Sequence, residues 1–181
     1  TVHVRQPNNW LNIHIGVQKI EHAVGSYLDL AFLVPSGWKE GDDSPCKFVA
    51  FFDSINEAMA AGEFLQRRLP LEHCEKILWF HSDMSDKFKA EALEKLRTRE
   101  IWDLCATDSF GMGVDLPDIT LVIQWHTRCD LVTLWQCLGR EAHNGHLASI
   151  GLIFVEDKYF ESEEKDETRA KRQAANAWKW Q

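Results

Sequence analysis

Short apolar runs and amphipathic helical segments alternate along most of this chain, and no other feature restricts its architecture as strongly. Residues 47–52 (KFVAFF), 76–80 (KILWF), 101–106, 119–125 and 149–155 (SIGLIFV) are strand-like runs with little polar interruption. Between them, residues 56–69 place Ala58, Ala61, Leu65 and Leu69 at helical intervals, and residues 86–99 place Phe88, Ala92, Leu93 and Leu96 on one face. Residues 131–138 are helix-like as well. Strands separated by helices of this length predict β-α-β crossovers, hence a three-layer α/β domain with a parallel sheet covered on both faces. Functional residues in such a sheet gather outside the C-terminal ends of the strands.

Local signals fix the boundaries. Ser54, with Glu57 three residues on, predicts a helix start, and Pro70 closes the segment that follows. Residues 12–20 (NIHIGVQKI) alternate with a period near two, which predicts an edge strand. Residues 34–45 (VPSGWKEGDDSP) have the composition of a surface loop. The division expected is a lobe over residues 1–155 and a charged C-terminal helix over 156–181, with Phe160, Ala170, Ala174 and Trp178 as its seam.

Composition excludes several classes. No run approaches the roughly 18 apolar residues of a membrane span, and no basic-then-apolar signal opens the chain, so an intracellular protein without a membrane partner is expected. The five cysteines never approach CxxC spacing, and the eight histidines include no i, i+4 pair beside a carboxylate, so neither a disulfide framework nor a metal site is expected. The eight tryptophans sit in apolar patterns and read as core filler. With a net charge of −8, any contact with nucleic acid must be local and weak.

Two stretches could carry chemistry. Residues 105–118 (CATDSFGMGVDLPD) leave an apolar strand for a turn in which Gly111 and Gly113 permit close backbone approach, Thr107 offers a hydroxyl, and Asp108 and Asp115 offer carboxylates. An ordinary strand-to-strand turn is the alternative. In residues 135–145 (WQCLGREAHNG), Gln136, Arg140 and His143 share one face of a helix, where the guanidinium fork could meet a phosphate. A solvated polar face is the alternative there.

In this order and spacing, ATDSFGMGVDLPDITLVIQW and QCLGREAHNG resemble motifs V and VI of superfamily 2 helicases, within the RecQ-like branch. KFVAFFDS resembles motif IV, LWFHSDMS the short strand-and-histidine segment after it, and NNWLNIHIGVQKI the strand that opens the second RecA-like lobe. The resemblance implies a P-loop NTPase-type helicase C-terminal lobe. It implies a nuclear ATP-dependent DNA helicase (a hydrolase and isomerase acting 3′ to 5′ in DNA repair). Its partners would be single-stranded DNA and a first RecA-like lobe, and its cofactor ATP with Mg²⁺, held mainly by that first lobe. Residue by residue, it implies that Ser54, His81 and Thr107 track the DNA backbone. It places Gly113 and Asp115 at the nucleotide cleft, and it has Gln136 and Arg140 reach across that cleft towards the γ-phosphate.

One departure stands out. Where the family pattern QxxGRxGR ends in Gly-Arg, this chain has Ala142 and His143. A neutral histidine with a pKa near ~6.5 cannot supply permanent charge or a bidentate fork, and an arginine finger is worth orders of magnitude in rate. The chain also contains no G-x-x-x-x-G-K-[ST] and no Asp-Glu-x-His, and its tail shows no zinc-module cysteines. The phosphate cradle is expected in a first lobe, and the isolated chain should be inactive as an ATPase. The competing expectation is a degenerate, non-catalytic lobe that serves as a nucleic-acid or protein interaction module.

Overall fold

In a computed structural model the described residues are 13–39, 42, 46–107, 119–126 and 149–159. They form six parallel strands and two α-helices: β1 (Ile13–Lys19), β2 (Phe48–Phe51), α1 (Ile55–Gln66), β3 (Ile77–Phe80), α2 (Asp86–Arg97), β4 (Asp103–Ala106), β5 (Leu121–Trp125) and β6 (Ser149–Val155). The strand order is β1-β6-β5-β2-β4-β3, with every neighbouring pair parallel.

The expected three-layer architecture is present. In β2 every residue is buried, and the pleat sends successive side chains to opposite faces. Phe48 and Ala50, continued by Phe52, join one core with Ala58, Ala61 and Leu65 of α1 and with Leu30 and Leu33 of a 3-10 turn. Val49 and Phe51 join the other with Ala92 and Leu96 of α2, Leu104 and Val122. Among the described helices, α1 moves the chain outward from β2 to β3 and α2 brings it back to β4, so they lie on opposite faces, as right-handed crossovers require.

Several local expectations are modified. Helix α1 ends at Gln66, with Arg67 as its cap, and Pro70 opens a separate 3-10 turn over Leu71–Lys76. Gly62 faces Trp79, whose ring lies 3.3 Å from where a Cβ would stand, so the glycine sets how closely α1 approaches β3. Phe88, assigned to the apolar face of α2, is 40% exposed in the first turn. The stretch read as the 34–45 loop is no plain surface loop. Val34 and Trp38 are buried, and Trp38 meets Trp102 edge-on with centroids 5.1 Å apart. The helix expected over 131–138 and the C-terminal segment beyond 159 lie outside the described residues.

At the N-terminal edge of the sheet the Phe48 backbone N–H donates to Asp103 Oδ1 at 2.7 Å, tying the start of β2 to that of β4. Asp103 is fully buried, and burial pushes its carboxyl pKa well above the ordinary value, against the pull of the Phe48 N–H, Arg99 and Lys47. A carboxyl whose folded pKa exceeds its unfolded value contributes stability that is present below the unfolded pKa and lost as pH rises through the folded pKa. Asp103→Asn, which keeps the acceptor without the charge, is therefore expected to flatten the rise in stability as pH is lowered from 7 to 4. Asp103→Leu orphans the Phe48 N–H and should cost about 1–3 kcal/mol. Urea denaturation at several pH values checks both.

Candidate functional site

The C-terminal edge of the sheet brings three of the nominated residues into one row. Parallel register aligns Phe51 with Ala106 and Ala106 with Phe80. The ladder then runs one step further, the Phe52 N–H donating to Ala106 O at 2.8 Å and the Thr107 N–H to Phe80 O at 3.1 Å. Thr107 and His81 therefore leave the ends of β4 and β3 side by side, and Ser54 follows the end of β2, next to β4.

Each has a distinct environment. Ser54 is exposed and caps α1, its Oγ accepting from the Glu57 N–H at 3.2 Å while donating to Glu57 Oε2 at 3.1 Å. The hydroxyl proton thus has an internal acceptor, and meeting a phosphate would require it to turn away from Glu57. His81 is half-buried, and its Nδ1 is enclosed without a hydrogen-bond partner. Thr107 is half-buried. Asp53 and Asp83 are exposed close by in sequence, Asp83 accepting from Ser82 Oγ at 2.9 Å. The described part of this edge thus offers hydroxyl and imidazole groups beside carboxylates, and its lysines are engaged within the chain, Lys89 donating to Ser82 O at 2.7 Å and Lys19 pairing with Asp157 at 2.7 Å.

The same edge holds a polar chain that was not legible in the sequence. His126, the first residue after β5, is buried and adopts a left-handed φ of 63°. Its Nδ1 lies 3.2 Å from Glu156 Oε1, just past β6, and its Nε2 lies 4.0 Å from Glu57 Oε1. Glu156 Oε2 in turn meets Lys158 Nζ at 2.8 Å. The hydrogen bond from Lys158, aided by the Lys158 charge and by His126, holds the Glu156 pKa below the ordinary value against its own desolvation. Tyr27 packs edge-on against Phe52 and tilted on Trp125, and burial together with Glu57 raises its phenol pKa. Ser54, Glu57, His126 and Glu156 thus run across the ends of β2, β5 and β6. The one local hint was a histidine directly following an apolar strand; its partners are remote in sequence. Among the described residues no group of histidine, cysteine or carboxylate side chains could hold a metal ion, and no helix is long and apolar enough to cross a membrane.

Gly113, Asp115, Gln136, Arg140 and His143 lie outside the described residues. What is fixed is where their segments are attached: residues 108–118 run between the end of β4 and the approach to β5, and residues 127–148 between His126 and β6.

Comparison with known proteins places this arrangement. The family model described as helicase conserved C-terminal domain matches residues 39–145, more than half of the chain. The chain is 28% identical over 109 residues to the ATP-dependent RNA helicase ROK1 of Gibberella zeae, covering 59% of this chain and 16% of that protein. It is 28% identical over 145 residues to the ATP-dependent helicase Lhr-Core protein 2 of Thermococcus barophilus, covering 77% and 17%. It thus spans about a sixth of the length of these relatives. Among solved structures, the C-terminal domain of the DEAD-box protein Dbp5 superposes with a TM-score of 0.64 at 17% identity, covering 83% of this chain and 80% of that one. The DUF1998 helicase MrfA bound to DNA and AMPPNP gives 0.61 at 16%, covering 80% and 20%. The fold is the RecA-like fold of a helicase C-terminal lobe.

The cap predicts a measurable division of labour at Ser54. Ser54→Ala should destabilise the chain by about 1 kcal/mol, and Ser54→Asn, which can still accept the Glu57 N–H, should recover most of that loss. Thermal denaturation of the two variants checks it.

Proposed function

The chain belongs to the helicase conserved C-terminal domain family, and from that premise we propose that it is the second motor lobe of an ATP-dependent superfamily 2 helicase. The observation that carries the reading is the row at the sheet's C-terminal edge, where Ser54, Thr107 and His81 follow three adjacent strands. Successive phosphates of a single strand could be met there by a hydroxyl, a second hydroxyl and an imidazole. ATP would be held mainly by a first RecA-like lobe, with Gly113 and Asp115 at the near side of the cleft. When bound, the nucleotide with Mg²⁺ would supply the phosphoryl group whose transfer drives opening and closing. The work of this chain is to bring Gln136 and the Arg140 guanidinium across the cleft, and phosphoryl transfer depends on such positioning and charge neutralisation. His143 can add a hydrogen bond at that place without the permanent charge of an arginine.

The nature of the strand is a finer question. The wording of FGMGVD and QCLGR supports a RecQ-like, 3′-to-5′ DNA helicase, and a nuclear location and a role in DNA repair belong to that same reading. The names of ROK1 and of the pre-mRNA-splicing helicase PRP28 of Cryptococcus neoformans, 38% identical over 65 residues, support RNA instead. Hydroxyl and imidazole donors to phosphates do not read the sugar, so the geometry serves either strand. A second reading, a lobe kept for binding rather than for work, is favoured by His143 and by the net charge of −8.

Strand-stimulated ATP turnover by a protein carrying both lobes, measured with single-stranded DNA and with single-stranded RNA, separates these readings. A working motor should lose roughly 10³-fold or more in Arg140→Ala, and the strand that stimulates identifies the track. Absence of turnover with His143, with a gain in His143→Arg, would establish the binding module and overturn the motor.

A further inference from the structure

At the end opposite β1 the sheet closes on β3, which among the described strands has a neighbour on one side only. The Thr107 N–H donates to Phe80 O at 3.1 Å, so the backbone polar groups of Phe80 face β4, and by the alternation of a strand those of Ile77 and Trp79 face outward. Ile77 O agrees with this, because Gln66 Nε2 reaches round the edge to donate to it at 2.7 Å. Among the described residues nothing covers the Trp79 N–H and C=O in the same way. A strand edge left open like this is a template for one more strand.

The open edge lies on the floor of a groove of about 450 Å³, between Gln66 at the end of α1 and Phe88 and Lys95 of α2. On the α2 side its wall is apolar: Leu78 is half-buried, and Phe88 is 40% exposed although it belongs to the apolar pattern of its helix. The rim, continued by the adjoining hollow beside Leu71, carries Glu63, Glu75 and Glu100 against Arg67, Lys76 and Lys95, so it is neutral in a chain of net charge −8. Its cations are engaged within the chain. Arg67 meets Glu63 at 3.0 Å, Lys95 meets Glu100 at 3.3 Å, and Lys76 Nζ donates to Glu100 O at 2.8 Å.

We propose that this edge docks an extended, uncharged apolar segment of a partner protein, added to the sheet as a further strand through the Trp79 N–H and C=O. Backbone hydrogen bonds would hold such a segment, and an apolar side chain on it would fill the space beside Leu78 and Phe88. The neutral rim complements an uncharged peptide and has no spare cation for a phosphate backbone. Recession of the edge argues against a second copy of this chain, whose own β3 lies equally deep between its α1 and α2. A slender segment reaches the floor where a folded edge does not.

Titrating the chain with acetyl-Thr-Val-Phe-Val-Thr-amide, followed by amide NMR, tests this. The Trp79 amide should move downfield as it gains an acceptor, with Leu78 and Phe88 moving too and β1 and β6 unchanged. N-methylation of the peptide's Val and Phe residues removes N–H groups from both of its edges and should weaken binding roughly tenfold or more. Phe88→Glu, at an exposed position, should weaken it by a similar factor. A Trp79 amide that stays in place at about 1 mM peptide, or affinity that N-methylation leaves within about twofold, would overturn the proposal. So would tighter binding of polyglutamate or a single-stranded oligonucleotide at the same amides, or a Trp79 shift that follows chain concentration together with a dimer in sedimentation. The occupant would then be a charged chain or a second copy.

Discussion

Everything else in this lobe is referred to β2. It lies between β5 and β4, its four residues are buried, and its alternating side chains supply both cores. A parallel strand of this kind cannot be stable with one face in water, because its crossover connections must themselves be packed on the sheet. The covering layers therefore follow from it: α1 on one face, α2 on the other, each presenting small or aliphatic residues where it meets the sheet. Asp103 belongs to the same requirement, since the first N–H of β2 is buried and needs an acceptor. That acceptor is a carboxyl in an unfavourable environment, a local cost that secures the registry of two central strands.

Burial at the centre also decides where function can sit. Residues within the strands are committed to packing, so donors for a ligand come from the first positions past the strand ends, where the ladder stops. Ser54, Thr107 and His81 occupy such positions, and so do His126 and Glu156. Ser54 already satisfies the first turn of α1, and Glu57, which completes that cap, also faces His126. Glu57 Oε1 and His126 Nε2 stand 4.0 Å apart without a hydrogen bond, so the cap of α1 and the residue from which segment 127–148 departs are neighbours across the ends of β2 and β5.

The acidic balance of the molecule fits this edge. Its described lysines are engaged within the chain, Lys89 by Ser82 O and Lys158 by Glu156, and carboxylates stand among the hydroxyl and imidazole groups. Binding built from hydroxyls, an imidazole and backbone N–H groups releases few counterions, so its salt dependence is shallow compared with that of a lysine-rich groove.

The sequence by itself determined the fold class, the six strands, both described helices and the Ser54 cap. Each of these rests on local periodicity or on a side chain meeting its own backbone three residues away. It also singled out the row of Ser54, His81 and Thr107, although only through resemblance to a family. Only the tertiary structure decided the strand order, the burial of Trp38 against Trp102, the residual exposure of Phe88, and the meeting of Glu57, His126 and Glu156. These depend on which strands become neighbours, and residues far apart in the chain carry no mark in their local pattern of the partner they will meet. Asp103 shows the limit most sharply. Read locally it is a polar residue before an apolar run, and only the parallel pairing of β2 with β4 makes it the buried acceptor on which two strands depend.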